Sequence, residues 1–216
     1  MLTREQFLPH EMRIVAALRM QGASDEQVIV RVKSENLFQY PTERMVANRA
    51  TVCLRRLDAT VPTDAVCAAR GIDPKTAVEA ASSLTRLMAS GTPTQADQAI
   101  FYSMICRYDI VRELVLVEVG ERLQNFDYAF TAVDLNAFMT RFTTEYPDAA
   151  RWTEATVKRI KGSLRQTLRH AGLIGEGLGP ETERLSPLFL DSDVERALVQ
   201  LGEQPLIAAL TGRAVM

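Results

Sequence analysis

Apolar residues recur along most of this 216-residue chain at intervals of three and four, the period of an amphipathic helix. Two segments show the pattern most clearly. In Arg44–Leu57 the predicted buried face consists of Val46, Ala50, Cys53, Leu54 and Leu57. In Trp152–Gly172 it consists of Val157, Ile160, Leu164 and Leu168. The periodicity therefore predicts a mainly α protein.

Signals for helix ends divide the chain into separate helices. Ser24–Gln27 and Thr131–Asp134 each have the form of a capping box, in which the first and last side chains bond each other's backbone. Thr42 and Thr153 are placed to act as N-caps. Gly172 stands where a helix often ends in a left-handed residue. These signals predict where four of the helices begin and where one ends.

Residues 1–60 are predicted to form a helix-turn-helix-like unit of three helices. Five polar side chains of the third helix are predicted to lie away from its buried face: Arg44, Asn48, Arg49, Arg55 and Arg56. In this interpretation the third helix enters the major groove of DNA, where arginine prefers guanine edges and asparagine prefers adenine edges. The alternative is a plain helical bundle with a solvated arginine face.

Residues 61–128 are predicted to form a helical middle segment. The Val- and Leu-rich run Ile110–Leu123 is predicted to be the most buried helix of the chain, although such a run is also compatible with a strand. Arg107, Arg112 and Glu113 interrupt the apolar pattern here, and we interpret them as structural.

Residues 129–216 are predicted to form a winged-helix-like unit with C-terminal helices. After Trp152–Gly172 come the apolar pair Leu173-Ile174, a glycine-rich stretch and Thr182–Leu185. We expect Leu173-Ile174 and Thr182–Leu185 to pair as a short β-wing, with the glycines at its tip. Pro147–Arg151 is short for the middle helix that such domains usually contain.

Positive charge is concentrated in two segments of an otherwise acidic chain. The formal net charge is −2, but Arg151–Gly172 carries +5 and Arg44–Leu57 carries +4, which leaves −11 on the other residues. Such asymmetry favours local binding of an anion over a generally adhesive surface. A solvated surface helix is the alternative interpretation for each segment.

Within Trp152–Gly172 the side chains fall into three zones. Beside the buried face runs a cationic stripe, predicted to consist of Lys158, Lys161, Arg165 and Arg169. The third zone is small and polar, and it is predicted to consist of Gly162, Ser163, Gln166 and Thr167.

Motifs for catalysis, metal binding or cofactor binding are absent from the sequence. Cys53, Cys67 and Cys106 form no CxxC pair, and His10 and His170 have no metal-ligand spacing. No catalytic residue, metal or cofactor is therefore expected, and an enzyme is the least supported class. Few, widely spaced cysteines and apolar runs interrupted by charges predict a cytoplasmic protein that does not enter the membrane.

Three stretches of the chain resemble the BrxA family, the small helical component of bacterial BREX phage-defence systems. They are SDEQVIVRVKSENLFQYPTERMVANRATVCLRRL, QADQAIFYSMICRYDIVRELVLVEV and DLNAFMTRFTTEYPDAARWTEATVKRIKGSLRQTLRHAGLI, of which the last is the most distinctive. The resemblance extends from about Met12 to Pro187. It implies a mainly helical protein that binds double-stranded DNA without catalysis and acts beside the system's methyltransferase, ATPase and other components.

The sequence thus favours binding of double-stranded DNA, mainly to its phosphates, through two basic helices. The predicted contact residues are Arg44, Asn48, Arg49, Arg55, Lys158, Lys161, Arg165 and Arg169. A protein–protein scaffold, whose basic stripes dock acidic partners of a defence complex, is the alternative from another class. RNA binding by an all-helical protein is a third hypothesis.

Overall fold

The chain is mainly helical and carries one small antiparallel sheet. A computed structural model describes residues 7–179 and 182–213. The helices are α1 (Pro9–Met20), α2 (Asp25–Ser34), α3 (Glu43–Ala59), α4 (Asp64–Arg70), α5 (Pro74–Ser90), α6 (Pro93–Arg107), α7 (Asp109–Glu113), α8 (Gly120–Gln124), α9 (Ala132–Glu145), α10 (Glu154–His170), α11 (Ser192–Gln200) and α12 (Gln204–Thr211). The strands are β1 (Ala129–Thr131), β2 (Ile174–Gly179) and β3 (Thr182–Leu185).

These elements divide into two compact units that are both discontinuous in sequence. The first unit contains residues 8–107 and 190–203, and therefore α1–α6 and α11. The second unit contains Phe7, residues 108–179, 182–189 and 204–213, and therefore the sheet and the remaining helices.

The first unit is built from helices packed by their apolar faces. α1 packs against α3 and α5, and α5 also packs against α6 and α11. Met12, Leu84 and Met104 are among the side chains with no exposed surface. Within each of these helices the buried apolar residues recur at helical intervals, so the sequence pattern predicts which face is buried.

In the second unit, the Val- and Leu-rich run Ile110–Leu123 is helical throughout. The prediction that it is the most buried helix is wrong, because six of the eight residues of α12 are buried against half of this run. A π-helical segment, Leu114–Val119, joins α7 to α8. This segment and α8 pack against α12. A Cβ atom built on Gly120 would lie only 2.8 Å from the Cβ of Ala209, so glycine allows α8 and α12 to approach closely here. The helical interpretation is confirmed, whereas the sequence pattern contains no sign of the π-helical turn.

The sheet has the strand order β1-β3-β2, with antiparallel pairing throughout. Ile174 lies opposite Leu185, which confirms that the segment after α10 pairs with Thr182–Leu185 as predicted. β2 continues through glycines 175, 177 and 179, so the prediction that these glycines form the tip is wrong for the part that the structure describes. Residues 180 and 181, at the predicted tip, lie outside the described residues. β1 was not predicted, because its three residues are too few for a period to show.

The predicted helix ends are confirmed. Both capping boxes are present, with Ser24 accepting from the backbone of Gln27 and Thr131 accepting from that of Asp134. Thr42 and Thr153 cap α3 and α10 in the same way. Gly172 has a φ of 81°, the left-handed conformation expected of the residue after a helix.

Candidate nucleic-acid interface

α3 presents three polar side chains at intervals of four and seven residues on its solvent-exposed side. Arg44, Asn48 and Arg55 are exposed, and none has a hydrogen-bond or ion-pair partner among the described residues. The opposite side packs through the five apolar residues predicted for it, all of which are buried. Amphipathic periodicity thus leaves two guanidiniums and one amide available to an external partner.

Two other arginines of α3 lie at the edge of its packed face. Arg49 is half-buried and acts electrostatically on Tyr40. Arg56 has 0% exposed surface, so the prediction that it points away from the packed face is wrong. α1, α2 and α6 all pack against α3. Packing of these three helices extends the buried face of α3 to the flank that carries Arg49 and Arg56, which lie close together on the helix because they are seven residues apart.

A buried polar contact anchors the chain just before α3. The Tyr40 hydroxyl donates a hydrogen bond to the carboxylate of Glu11 on α1, and Glu11 is itself buried. Burial, this hydrogen bond and the charge of Glu11 raise the pKa of Tyr40 to about 12. The pair therefore stays intact across the physiological pH range and holds the leading end of α3 against α1.

α10 packs through a face slightly different from the predicted one. Ile160, Leu164 and Leu168 are buried as predicted, and Val157 is half-buried. Thr167 is only 2% exposed, so its prediction as part of a small polar zone is wrong. It stands next to Leu168 and seven residues after Ile160, which places it at the edge of the buried face.

The cations of α10 fall into two groups. Lys158 and the neighbouring Arg159 are exposed, and neither has an ion-pair partner in the described part of the chain. The other three contact neighbouring elements. Lys161 Nζ donates a hydrogen bond to Asn136 Oδ1 on α9 over 2.6 Å, and Arg165 and Arg169 both form ion pairs with Glu183 on β3. The available charge of α10 is therefore concentrated in its first half.

Glu183 lies beside the arginines of α10, although no pattern in the sequence marks it as part of this surface. Its side chain is 14% exposed, and one carboxylate oxygen lies 3.1 Å from Arg165 Nε. Glu183 stands two residues before the buried Leu185, so strand alternation places both side chains on the same face of β3. The sequence predicts the alternation, but it does not reveal that this face meets the arginines of α10.

The described residues contain no group of three or more His, Cys, Asp or Glu side chains able to hold a metal ion. Among the helices of the same residues, none is long and apolar enough to cross a membrane. α3 and α10 both present exposed guanidinium groups, with an amide on α3 and an ammonium on α10, and such donors suit anionic partners.

Comparison with known proteins gives three findings. A family model named BrxA matches residues 1–202. The BREX protein BrxA of Escherichia coli O9:H4 (strain HS) is 21% identical over 127 residues, which cover 59% of this chain and 58% of that protein. The aligned part of the chain thus spans less than two thirds of that relative's length. The crystal structure of an uncharacterized protein from Magnetospirillum magneticum matches with a TM-score of 0.75 and 17% identity, covering 98% of this chain and 97% of that one.

The structural match extends over nearly the whole chain, so the two proteins share a fold. The family model covers all of the chain except residues 203–216, which include the last helix. The chain therefore belongs to the BrxA family.

Proposed function

We propose that this protein is a non-catalytic component of a BREX phage-defence system that binds double-stranded DNA. Binding is mainly to phosphates, through the exposed cations of α3 and α10. The observation that carries the proposal is that Arg44, Arg55, Lys158 and Arg159 are exposed and unpaired among the described residues of an acidic chain. Protein cations that lack internal partners and cluster on helices are the usual phosphate ligands of DNA-binding proteins.

The order of elements supports duplex DNA as the polyanion. In the second unit β1, α9, α10, β2 and β3 follow one another in the order of a winged helix, in which α10 would be the recognition helix. A 3₁₀ turn, Ala149–Arg151, stands where the middle helix of such a domain would be. In the first unit α1–α3 follow one another as in a helix-turn-helix unit, with a longer link between α2 and α3.

Family membership supports the place of the protein in phage defence. The E. coli relative is named a BREX protein. The methyltransferase and ATPase of such a system are therefore proposed as partners, and the cytoplasm as the compartment, since DNA and these enzymes meet there. Absence of recognisable catalytic motifs in the sequence supports a binding role.

The first test is the salt dependence of duplex binding, measured by fluorescence anisotropy. If six or more phosphates are contacted, affinity is expected to fall by about a thousandfold between 50 and 200 mM salt, because each contact releases counterions. Binding that is insensitive to salt, or absent at low salt, would contradict the proposal. Competition between duplex DNA and RNA separates this function from RNA binding.

The second test reverses the exposed charges. K158E/R159E and R44E/R55E should each weaken binding at least tenfold and reduce the salt slope by about two, since each variant removes two phosphate contacts. The matched control is K75E/R86E, which changes the net charge equally at exposed positions of α5. Equal weakening by the control would show that only overall charge matters. Charge reversal at Arg165 and Arg169 is less informative, because it would place new carboxylates against Glu183.

One observation favours the scaffold as a second candidate. Phe126 and Val133, near either end of β1, are 77% and 72% exposed. Large apolar side chains at the surface contribute to protein contacts and not to phosphate binding. Co-purification with BREX components that survives nuclease treatment, together with no DNA retention by the isolated protein, would favour the scaffold.

A further inference from the structure

Gly162 occupies the middle of α10 on its solvent-exposed side. Its backbone is helical, so no left-handed conformation requires glycine at this position. A Cβ atom built on Gly162 meets no atom within 4 Å. Gly120 is the opposite case, since a Cβ atom there would overlap with Ala209. Neither backbone conformation nor packing within the described structure explains why residue 162 is glycine.

Glycine at this position has a cost for the helix. Apart from proline, glycine is the poorest helix former, and an exposed helix interior is where alanine stabilises most clearly. Glycine can have either of two roles that would offset this cost in helix stability. A partner's backbone can approach the helix closely where no side chain intervenes, or the Gly162-Ser163 pair can allow the helix to bend.

The neighbours of Gly162 favour close approach by an anionic partner. Lys158 stands four residues before it, and Arg165 and Arg169 stand three and seven residues after it. These spacings place all four residues along one line of the helix surface. The line is thus a row of long cationic side chains with a gap in the middle, where no atom of the described residues lies within 4 Å of the position that a Cβ would take.

We propose that Gly162 is the point of closest approach between α10 and the sugar-phosphate backbone of bound duplex DNA. The inference rests on the proposed DNA binding and adds the register of α10 on the duplex. The missing side chain lets a strand lie against the helix, while Lys158, one turn before it and without a partner among the described residues, reaches a neighbouring phosphate. Gly162 is therefore a positioning residue, since phosphate contacts set the orientation of a protein on DNA.

A size series at residue 162 tests the proposal in the full-length protein. G162A should raise the Tm by about 2–4 °C, because alanine favours the helix and meets no atom. The same change should weaken duplex binding about threefold. G162Q should weaken it about tenfold or more, because the larger side chain would cost the complex about as much as the loss of one charge-assisted contact. Higher stability together with weaker binding is the expected signature.

Ser82 on α5 offers a matched control. It is exposed, mid-helical and small, and S82A and S82Q introduce the same two residues outside the two basic helices. Both variants should leave duplex binding unchanged. Circular dichroism of all four variants is the check that each of them folds.

The outcomes separate the inference from the function on which it rests. If the wild-type protein binds duplex DNA and both Gly162 variants bind equally well, close approach at Gly162 is wrong while DNA binding stands. If G162A weakens binding as much as G162Q does, helix bending explains the glycine and the proposal fails. If the wild-type protein binds no duplex at low salt, both the inference and the proposed function fail.

Discussion

At the scale of single residues, Glu183 decides how much of the charge on α10 is available to a partner. Its carboxylate lies against the guanidiniums of Arg165 and Arg169, whose side chains are 35% and 56% exposed. Pairs this exposed contribute little to stability, because water screens them. A phosphate approaching the same guanidiniums, however, would be repelled by the carboxylate.

Glu183→Gln should therefore strengthen duplex binding severalfold while lowering the free energy of unfolding by less than about 1 kcal/mol. The measurements are anisotropy at fixed salt and chemical denaturation. D193N is a matched control, because it removes the same charge from an exposed ion pair with Arg196 on α11. Weaker binding by E183Q would show instead that Glu183 orients the two arginines for phosphate contact.

At the scale of elements, the start of α9 is held by an ionised carboxylate. Asp134 accepts hydrogen bonds from the backbone and hydroxyl of Thr131, each over 2.7 Å, and pairs with Arg122 over 2.6 Å. Burial acts to raise the pKa of Asp134, but the Thr131 hydrogen bonds and the charge of Arg122 outweigh it and lower the pKa. The folded protein therefore binds this proton less readily than the unfolded chain does. The resulting stability is present above the unfolded pKa of about 3.9 and is lost as pH falls through the lower folded value.

D134A should lower the free energy of unfolding by about 1–2 kcal/mol at pH 7, since the capping box and its ion pair are lost. Its stability should also fall less steeply than that of the wild type below about pH 5. Denaturation at a series of pH values measures both effects. T153A, which removes the cap of α10 without removing an ionisable group, should lower stability and leave the acid dependence unchanged. An unaltered pH profile in D134A would show that Asp134 does not contribute to acid unfolding.

At the scale of the whole molecule, the last two helices belong to different units although they follow each other directly in the sequence. α11 belongs to the first unit, where the buried Glu203 that follows it pairs with Arg70 over 2.9 Å. α12 begins at the next residue but belongs to the second unit, where it packs on α8 and the π-helical segment. Each unit therefore depends on a short stretch from the end of the chain for part of its core.

Gly120→Val tests this dependence, because a larger residue must push α12 away from α8. Overpacking of this kind is expected to cost about 1–3 kcal/mol. Hydrogen exchange should show lost protection in residues 108–179 and a smaller loss in residues 8–107. Ala80→Leu, at a fully buried position of α5, overpacks the first unit instead and should cause the larger loss of protection in residues 8–107. Uniform loss of protection in both variants would show that the two units unfold together.

Local signals in the sequence were sufficient for the main helices and for the five helix ends that carry a cap or a glycine signal, although not for the π-helical segment. A cap joins residues two or three apart, and an amphipathic face repeats within two turns, so Thr42, Thr153 and the apolar faces of α3 and α10 could be recognised without knowledge of the fold. The two basic helices were recognised in the same way. Their place in DNA binding stays a prediction, and so do the boundaries of the three predicted segments.

The sequence by itself thus determined the helical class, the helix ends marked by caps, the pairing of β2 with β3 and the location of the basic helices. These features depend on neighbours along the chain or, for the two strands, on segments joined by a short connection. Only the tertiary structure decided that Arg56 is buried, that β1 pairs with β3, that Glu183 holds Arg165 and Arg169, and that α11 and α12 join different units. Most of these outcomes depend on residues more than ten positions apart, whose contacts arise from packing and leave no periodic trace in the sequence.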